Sequence, residues 1–180
     1  MELSSVVGYL FGFVRSPVWE ASVFIAEPAN ALLFSAFLAV AVCHAFGERR
    51  LLPFIATCVV AGMLLGMALK PIIAQPRPCE ISPSKIPCPL DFSLPSLHAL
   101  AAFCLALSTL GNRSFWVFLP FALFVAFSRV YLGVHTITEV AAGLSLAFLA
   151  CVAGEMLWIR MGWKLPLQVH LTKHSSRLEK

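Results

Sequence analysis

A group of residues whose side chains suit phosphate chemistry stands at the ends of apolar stretches in this chain: Lys70, Arg77, Ser96, His98, Arg129, His135 and Glu139. A charged side chain held near hydrocarbon costs roughly 2.5–3.5 kcal/mol at a helix centre and less toward the interface, so each needs a reason to be there. Phosphoryl transfer moves negative charge among oxygens and asks mainly for positioned donors and fixed positive charge. Lys70, Arg77 and Arg129 supply that charge, the arginines as planar forks and the lysine as a compact point charge. Backbone N–H groups at a helix start after Ser96 add further donors. His135 and Glu139, four residues apart, share one helical face. A carboxylate behind an imidazole fixes its tautomer and leaves the other ring nitrogen free to attack phosphorus. His98, on another helix, can protonate the leaving oxygen and later activate water.

Taken singly, these residues carry blander readings: Lys70 an interface anchor, Arg77 or Arg129 a headgroup contact, His98 a packing residue, Ser96 a cap. Their order and shared membrane side favour the site. A metal is the competing reading, since His98, His135 and Glu139 could form a two-histidine, one-carboxylate set. Three cations converging there would repel a divalent ion and attract a phosphate, so neither metal nor other cofactor is expected. His44, His170 and His174 show no supporting partners.

The chain that must position these groups has 180 residues, 59% of them hydrophobic and 12% charged, with a mean hydropathy of +0.86. Such values lie outside the soluble range and predict an all-α, polytopic transmembrane bundle in a single domain, 1–180. Five spans are expected at 29–46, 51–69, 97–112, 115–132 and 138–159, each near the roughly 20 residues that a bilayer core requires. Residues 1–28 read as a helix lying in the interface, with Tyr9, Phe11, Phe13 and Trp19 at headgroup depth, or as a sixth, imperfect span. A cleaved signal peptide is not expected, because no basic residue precedes the apolar run. Arg49, Arg50, Arg113, Arg160, Lys164, Lys173, Arg177 and Lys180 fall on one side, which the positive-inside rule makes cytoplasmic. The candidate site then faces outward. The net charge of +4 fits basic residues resting on anionic headgroups and gives no sign of nucleic acid.

Helix punctuation refines the placement. Lys70 precedes Pro71, which predicts that the second span stops there and leaves the ammonium at the membrane surface. Residues 70–96 carry Pro71, Pro76, Pro78, Pro83, Pro87, Pro89 and Pro95 and form a loop long enough to be functional. Ser93 and Ser96 offer N-caps for the following helix, putting His98 in its first turn. Arg129 closes one helix and His135 opens the next. Cys43, Cys58, Cys104 and Cys151 lie in apolar stretches and read as packing residues. Cys79 and Cys88 bracket an outward loop, where they are either a disulfide or two reduced thiols.

Three stretches resemble the signatures of the type 2 phosphatidic acid phosphatases: KPIIAQPRP at 70–78, PSLH at 95–98 and SRVYLGVHTITE at 128–139. The resemblance implies that Lys70, Arg77, Ser96, Leu97 (through its backbone N–H) and Arg129 bind phosphate. It also implies that His98 is the general acid and base, His135 the nucleophile and Glu139 its orienting group, without a metal. Leu97 stands where that family has glycine, making a positive φ expensive and putting bulk beside the phosphate. Glu139 stands for aspartate and adds a methylene.

The expected activity is metal-independent hydrolysis of a terminal phosphate from a membrane lipid through a phosphohistidine, at the outer face of a bacterial cytoplasmic (inner) membrane. Isoprenyl diphosphate, the 1-phosphate of lipid A, phosphatidylglycerol phosphate and phosphatidic acid are the candidate substrates, with lateral entry between helices. Transfer of the phosphoryl group to a second lipid, or non-catalytic lipid-phosphate binding or transport, are the alternatives. Oligomeric state is not legible.

Overall fold

The structure, a computed structural model, describes residues 17–162. A short helix, α1 (Pro17–Ala26), leads into α2 (Pro28–Ala45), α3 (Leu52–Ile73), α4 (Leu97–Leu107), α5 (Phe115–Tyr131) and α6 (Ile137–Arg160), with short 3-10 turns at Arg49–Leu51 and Pro78–Glu80. No strand occurs among the described residues. The interfacial-helix and sixth-span readings of residues 1–28 fall mostly outside the described residues, as do His170, His174 and the basic tail.

Three helices, α2, the Arg49–Ile73 stretch containing α3, and α6, are long and apolar enough to cross a membrane. The third expected span is shorter than 97–112. Helix α4 has 11 residues, which at 1.5 Å each is about 16 Å and only half of a bilayer core. It ends where Ser108 and Thr109 turn their hydroxyls back onto the chain, Ser108 Oγ donating to the Leu105 carbonyl at 3.1 Å and Thr109 Oγ1 to that of Ala106 at 2.8 Å. Such bonds satisfy carbonyls that a longer helix would use. Helix α4 packs against α3, α5 and α6, and Ala99, Leu100 and Ala102–Ala106 are buried. By contrast Leu32, Phe37, Leu64, Leu123 and Phe148 point outward. Apolar residues face outward where the surrounding solvent is hydrocarbon.

Close approach of α6 to α4 depends on Gly143. A Cβ there would come within 2.9 Å of the Ser96 carbonyl oxygen and 3.3 Å of Leu100 N. At the other end of the bundle Glu48 is buried, its two carboxylate oxygens accepting from Arg113 N at 3.0 Å and Ser114 N at 3.2 Å. This carboxylate, to which sequence reading gave no role, sits at the N-terminus of α5, where negative charge is favourable. His44 has a partner after all: its Nε2 lies 2.9 Å from Arg49 Nη2.

Helix α3 does not stop at Lys70. It runs through Pro71 to Ile73 and closes on Ala74 in the left-handed region, φ 51°, whose N–H bonds the Lys70 carbonyl. Proline forfeits one N–H but is tolerated here, in the last turn, where few further bonds depend on it. Lys70 is consequently buried in the protein and not left at the membrane surface. The 74–96 loop folds over this end. Cys79 and Cys88 are joined in it, their Cα atoms 5.7 Å apart. Lys85 is held against the end of α5, its N bonding the Leu132 carbonyl and its Nζ 3.2 Å from the centre of the Tyr131 ring.

Candidate active site

The antiparallel run of α3 to α6 brings the C-terminal ends of α3 and α5 beside the N-terminal ends of α4 and α6. Lys70, Arg77, Leu97, His98, Arg129 and His135 all line one cavity of about 1200 Å³. Ser96 is fully buried and is not part of the cavity wall. Glu139 stands behind His135.

Two partners that cannot exchange roles fix the state of His135. Glu139 Oε2 lies 2.8 Å from Nδ1, and a carboxylate only accepts. Arg77 Nη1 lies 3.1 Å from Nε2, and a guanidinium only donates. The proton is therefore on Nδ1 and the lone pair on Nε2. Burial, followed by the nearby charges of Arg77, Arg129 and Lys70, holds the His135 pKa well below the ordinary imidazole range, so the ring is neutral at pH 7.

Glu139 is 1% exposed and fully engaged. Oε2 also accepts from Thr136 N at 3.1 Å, while Thr136 Oγ1 accepts from Glu139 N at 3.3 Å, a capping box that starts α6. Oε1 accepts from Gln75 Nε2 at 3.1 Å. The extra methylene of glutamate does not distance His135; it lets one carboxylate reach the imidazole, the helix cap and the loop together. Gln75 was not foreseen, because it meets Glu139 across 64 residues with no periodic signal.

Ser96 is the N-cap residue of α4, but its hydroxyl makes no cap bond. Ser96 Oγ, His98 Nε2 and the Nε and Nη1 of Arg129 are buried without a hydrogen-bond partner. Orphaned buried polar groups are costly, and these share a chemistry, donors suited to an anion. The backbone cost expected at Leu97 does not arise, although the residue does line the cavity. Ala74 is the one non-glycine residue with positive φ among the described residues, so Leu97 starts an ordinary helix. Its side chain lies over Gly66 of α3, where an added Cβ would come within 2.6 Å of Leu97 Cδ2.

Asp91, also missed, completes the polar end of the cavity. Its carboxylate bridges Lys70 Nζ and Arg77 Nη2. Lys70 donates in addition to the Phe92 carbonyl, and Arg77 donates through Nε to the Asp91 carbonyl at 2.8 Å and through Nη1 to that of Val134 at 3.2 Å. Burial tends to raise the Asp91 pKa, but the bonds from Lys70 and Arg77 outweigh it and hold the group below the usual carboxylate range. A signal was present in the sequence: Asp91 is the one acid between Glu80 and Glu139.

The profile of the PAP2 superfamily matches residues 50–164, more than half of the chain and all of this constellation. The chain belongs to the PAP2 superfamily. It is 37% identical over 90 residues to an undecaprenyl-diphosphatase of Sulfolobus acidocaldarius, covering 47% of this chain and 44% of that one. It spans between 27% and 44% of the length of the curated relatives it matches. Its fold is that of Aquifex aeolicus LpxE, with a TM-score of 0.59 and 20% identity over 87% of this chain and 96% of that one. It is also that of a transmembrane PAP2-type phosphatidylglycerolphosphate phosphatase from Bacillus subtilis, with a TM-score of 0.56 and 22% identity over 82% and 80%. As a PAP2 membrane protein, the chain carries Leu97 and Glu139 where the superfamily's signatures led the sequence reading to expect glycine and aspartate, and the local geometry absorbs both.

Proposed function

We propose that this protein hydrolyses the terminal phosphate of a membrane lipid phosphate or diphosphate through a phosphohistidine at His135, at the outer face of a bacterial cytoplasmic membrane. The observation that carries this reading is the fixed tautomer of His135, a buried neutral imidazole with its Nε2 lone pair toward the cations, beside the unpartnered donors of His98 and Arg129. Nε2 attacks phosphorus while the bond from phosphorus to the lipid-side oxygen breaks. His98, protonated as the imidazolium once the bound anion offsets the neighbouring cations, gives that oxygen its proton and is left neutral. His98 then takes a proton from water, which attacks the phosphohistidine, frees inorganic phosphate and returns the lone pair to Nε2. Arg77 must release Nε2 at the start, and a phosphate oxygen is a stronger acceptor for it.

A lipid substrate is supported by the rest of the cavity. Away from the polar end its walls are apolar, drawn from α1 to α5 and including Phe24, Leu32, Val59, Met63, Leu105 and Phe121. The volume of about 1200 Å³ exceeds the roughly 300–1,000 Å³ of small-molecule sites, and apolar walls suit a hydrocarbon tail. Isoprenyl diphosphate is the first substrate to assay, since the Sulfolobus relative is named as an undecaprenyl-diphosphatase. The outward orientation rests on Arg49, Arg50, Arg113 and Arg160 lying at the end of the bundle opposite the site. The test is inorganic phosphate release from ³²P-labelled isoprenyl diphosphate and lipid monophosphates in chelator. Release by wild type and none by His135→Ala is expected; with isoprenyl diphosphate, whose phosphate leaving group departs without an acid, His98→Ala is expected to trap label on protein in an acid-labile, base-stable bond. Activity retained in His135→Ala would remove the nucleophile, and label passing to a second lipid would make the protein a transferase.

A further inference from the structure

Within the lipid-phosphatase reading, Asp91 presents a problem: a carboxylate already occupies the place between Lys70 and Arg77 that a phosphate should take. Asp91 is unlike its partners. The Lys70 and Arg77 side chains are 8% and 4% exposed, that of Asp91 53%, and its neighbour Leu90 is fully exposed. The carboxylate therefore has a way out into solvent. Its departure would not free the cations, because main-chain carbonyls of Asp91, Phe92 and Val134 continue to hold Lys70 and Arg77. Nor does the carboxylate satisfy the whole cradle: Arg129 Nε and Nη1 and His98 Nε2 stay unpartnered with Asp91 in place. The arrangement is that of a placeholder with one charge and two oxygens in a seat built for more.

From this we propose that Asp91 is a specificity-determining residue, an internal anion that keeps monoanionic phosphodiester headgroups out of the seat and yields to a terminal phosphate. In a bilayer the site is surrounded by phosphodiesters at high local concentration. A diester carries one negative charge, as Asp91 does, and gains nothing electrostatically by replacing it. A terminal phosphate carries about −1.5 to −2 at pH 7 and three strongly accepting oxygens, enough to engage Lys70, Arg77 and Arg129 together. A competitor that fills the seat in about nine of ten molecules raises the apparent dissociation constant of any incoming anion about tenfold. The terminal phosphate overcomes that factor and the diester does not.

The test uses full-length wild type, Asp91→Asn and Asp91→Ala in a neutral detergent, with phosphatidylglycerol as the diester and inorganic phosphate as the dianion. Two quantities are read: the inhibition constant of phosphatidylglycerol beside KM for a lipid monophosphate, and the thermal shift produced by each anion. The variants are expected to bind both lipids about tenfold more tightly, so that each constant falls about tenfold and phosphatidylglycerol inhibits at concentrations that leave wild type untouched, and to show a larger thermal shift with inorganic phosphate. Variants that fold only when phosphate is present support the proposal, since the anion then replaces the missing carboxylate. Variants that bind both anions as weakly as wild type, or more weakly, overturn it and make Asp91 a structural partner, as does failure to fold even with phosphate. If wild type releases no phosphate from any lipid, the phosphatase reading fails by itself, while the thermal shifts still decide whether Asp91 competes with anions. If neither anion shifts any of the proteins, the seat does not bind anions and the proposal falls with it.

Discussion

Glu139→Gln separates the charge of this side chain from its shape. The amide oxygen can take over both bonds of Oε2, to His135 Nδ1 and Thr136 N, and Gln75 can turn its own amide to accept from the new NH₂, so the fold has no reason to fail. What disappears is the negative charge behind an imidazole that, in the proposed mechanism, becomes cationic as Nε2 bonds to phosphorus. With Nδ1 and Oε2 2.8 Å apart, the centres of charge lie about 4 Å from each other, and at an effective dielectric of about 20 the attraction is about 4 kcal/mol. Because it is made only as the ring becomes charged, it acts on kcat, and about 4 kcal/mol is about a thousandfold in rate.

The assay is steady-state phosphate release in mixed micelles, with thermal denaturation alongside. Glu139→Gln is expected to keep KM within a few-fold and its melting temperature close to wild type while kcat falls about a thousandfold. Glu139→Asp gives the complementary result. It retains the charge but is shorter by one C–C bond, about 1.5 Å, and so cannot serve His135 and Gln75 together. Its loss in kcat is expected to be about tenfold, the price of a looser imidazole. A Glu139→Gln enzyme within tenfold of wild type would refute the reasoning, for no cationic imidazole would then form in front of that carboxylate.

Other consequences are open to measurement. The folded-state pKa of His135 is depressed, so its contribution to stability is complete above the unfolded value of about 6.5 and is lost as pH falls from there toward the folded pKa. At pH 5.5 the loss is about 1.4 kcal/mol, and His135→Gln should show a stability profile flatter by that amount in denaturant titrations at pH 7.5 and 5.5. Gly143→Ala drives a Cβ against the backbone of α4 at Ser96 and Leu100; it should cost about 1–3 kcal/mol and lower kcat more than it raises KM, since the displaced turn carries His98. Glu48→Gln leaves one of two backbone N–H groups without its acceptor and should cost about 1.5–3 kcal/mol, with activity per folded molecule unchanged because the site is at the other end of the bundle.

The helical class and the convergence of Lys70, Arg77, His98, Arg129 and His135 could be read in advance because both rest on local rules. Apolar runs mark spans, and polar residues at alternate ends of successive antiparallel helices must meet at one end of the bundle. His135 and Glu139 were legible as a pair because four residues is about one helical turn. The failures share the opposite property. Whether α3 stopped at Pro71 depended on what Lys70 would meet beyond it, and the answer, Asp91 and the Phe92 carbonyl, lies 21 and 22 residues away. Helix α4 was overestimated because apolar composition continues past Leu107 while Ser108 and Thr109 turn back on the helix.

A charge count of the outward end would have gone further than pattern matching. Lys70, Arg77 and Arg129 are each less than 7% exposed, and buried like charges cannot stand together unless something offsets them. Glu139 faces His135 and not the three cations, and Glu80 takes only the main-chain N–H of Arg77. Asp91 bridges Lys70 and Arg77 with a single negative charge, and Arg129 makes no ion pair among the described residues. The site's own residues are thus short of negative charge, and under the proposed function that deficit gives the affinity for a terminal phosphate its electrostatic origin. The same deficit keeps His135 unprotonated while it waits. When a phosphate arrives with its negative charge, the penalty on a cationic imidazole falls at the moment when Nε2 begins to bond to phosphorus. Binding and activation of the nucleophile are on this account one electrostatic event, and the buried cations serve both.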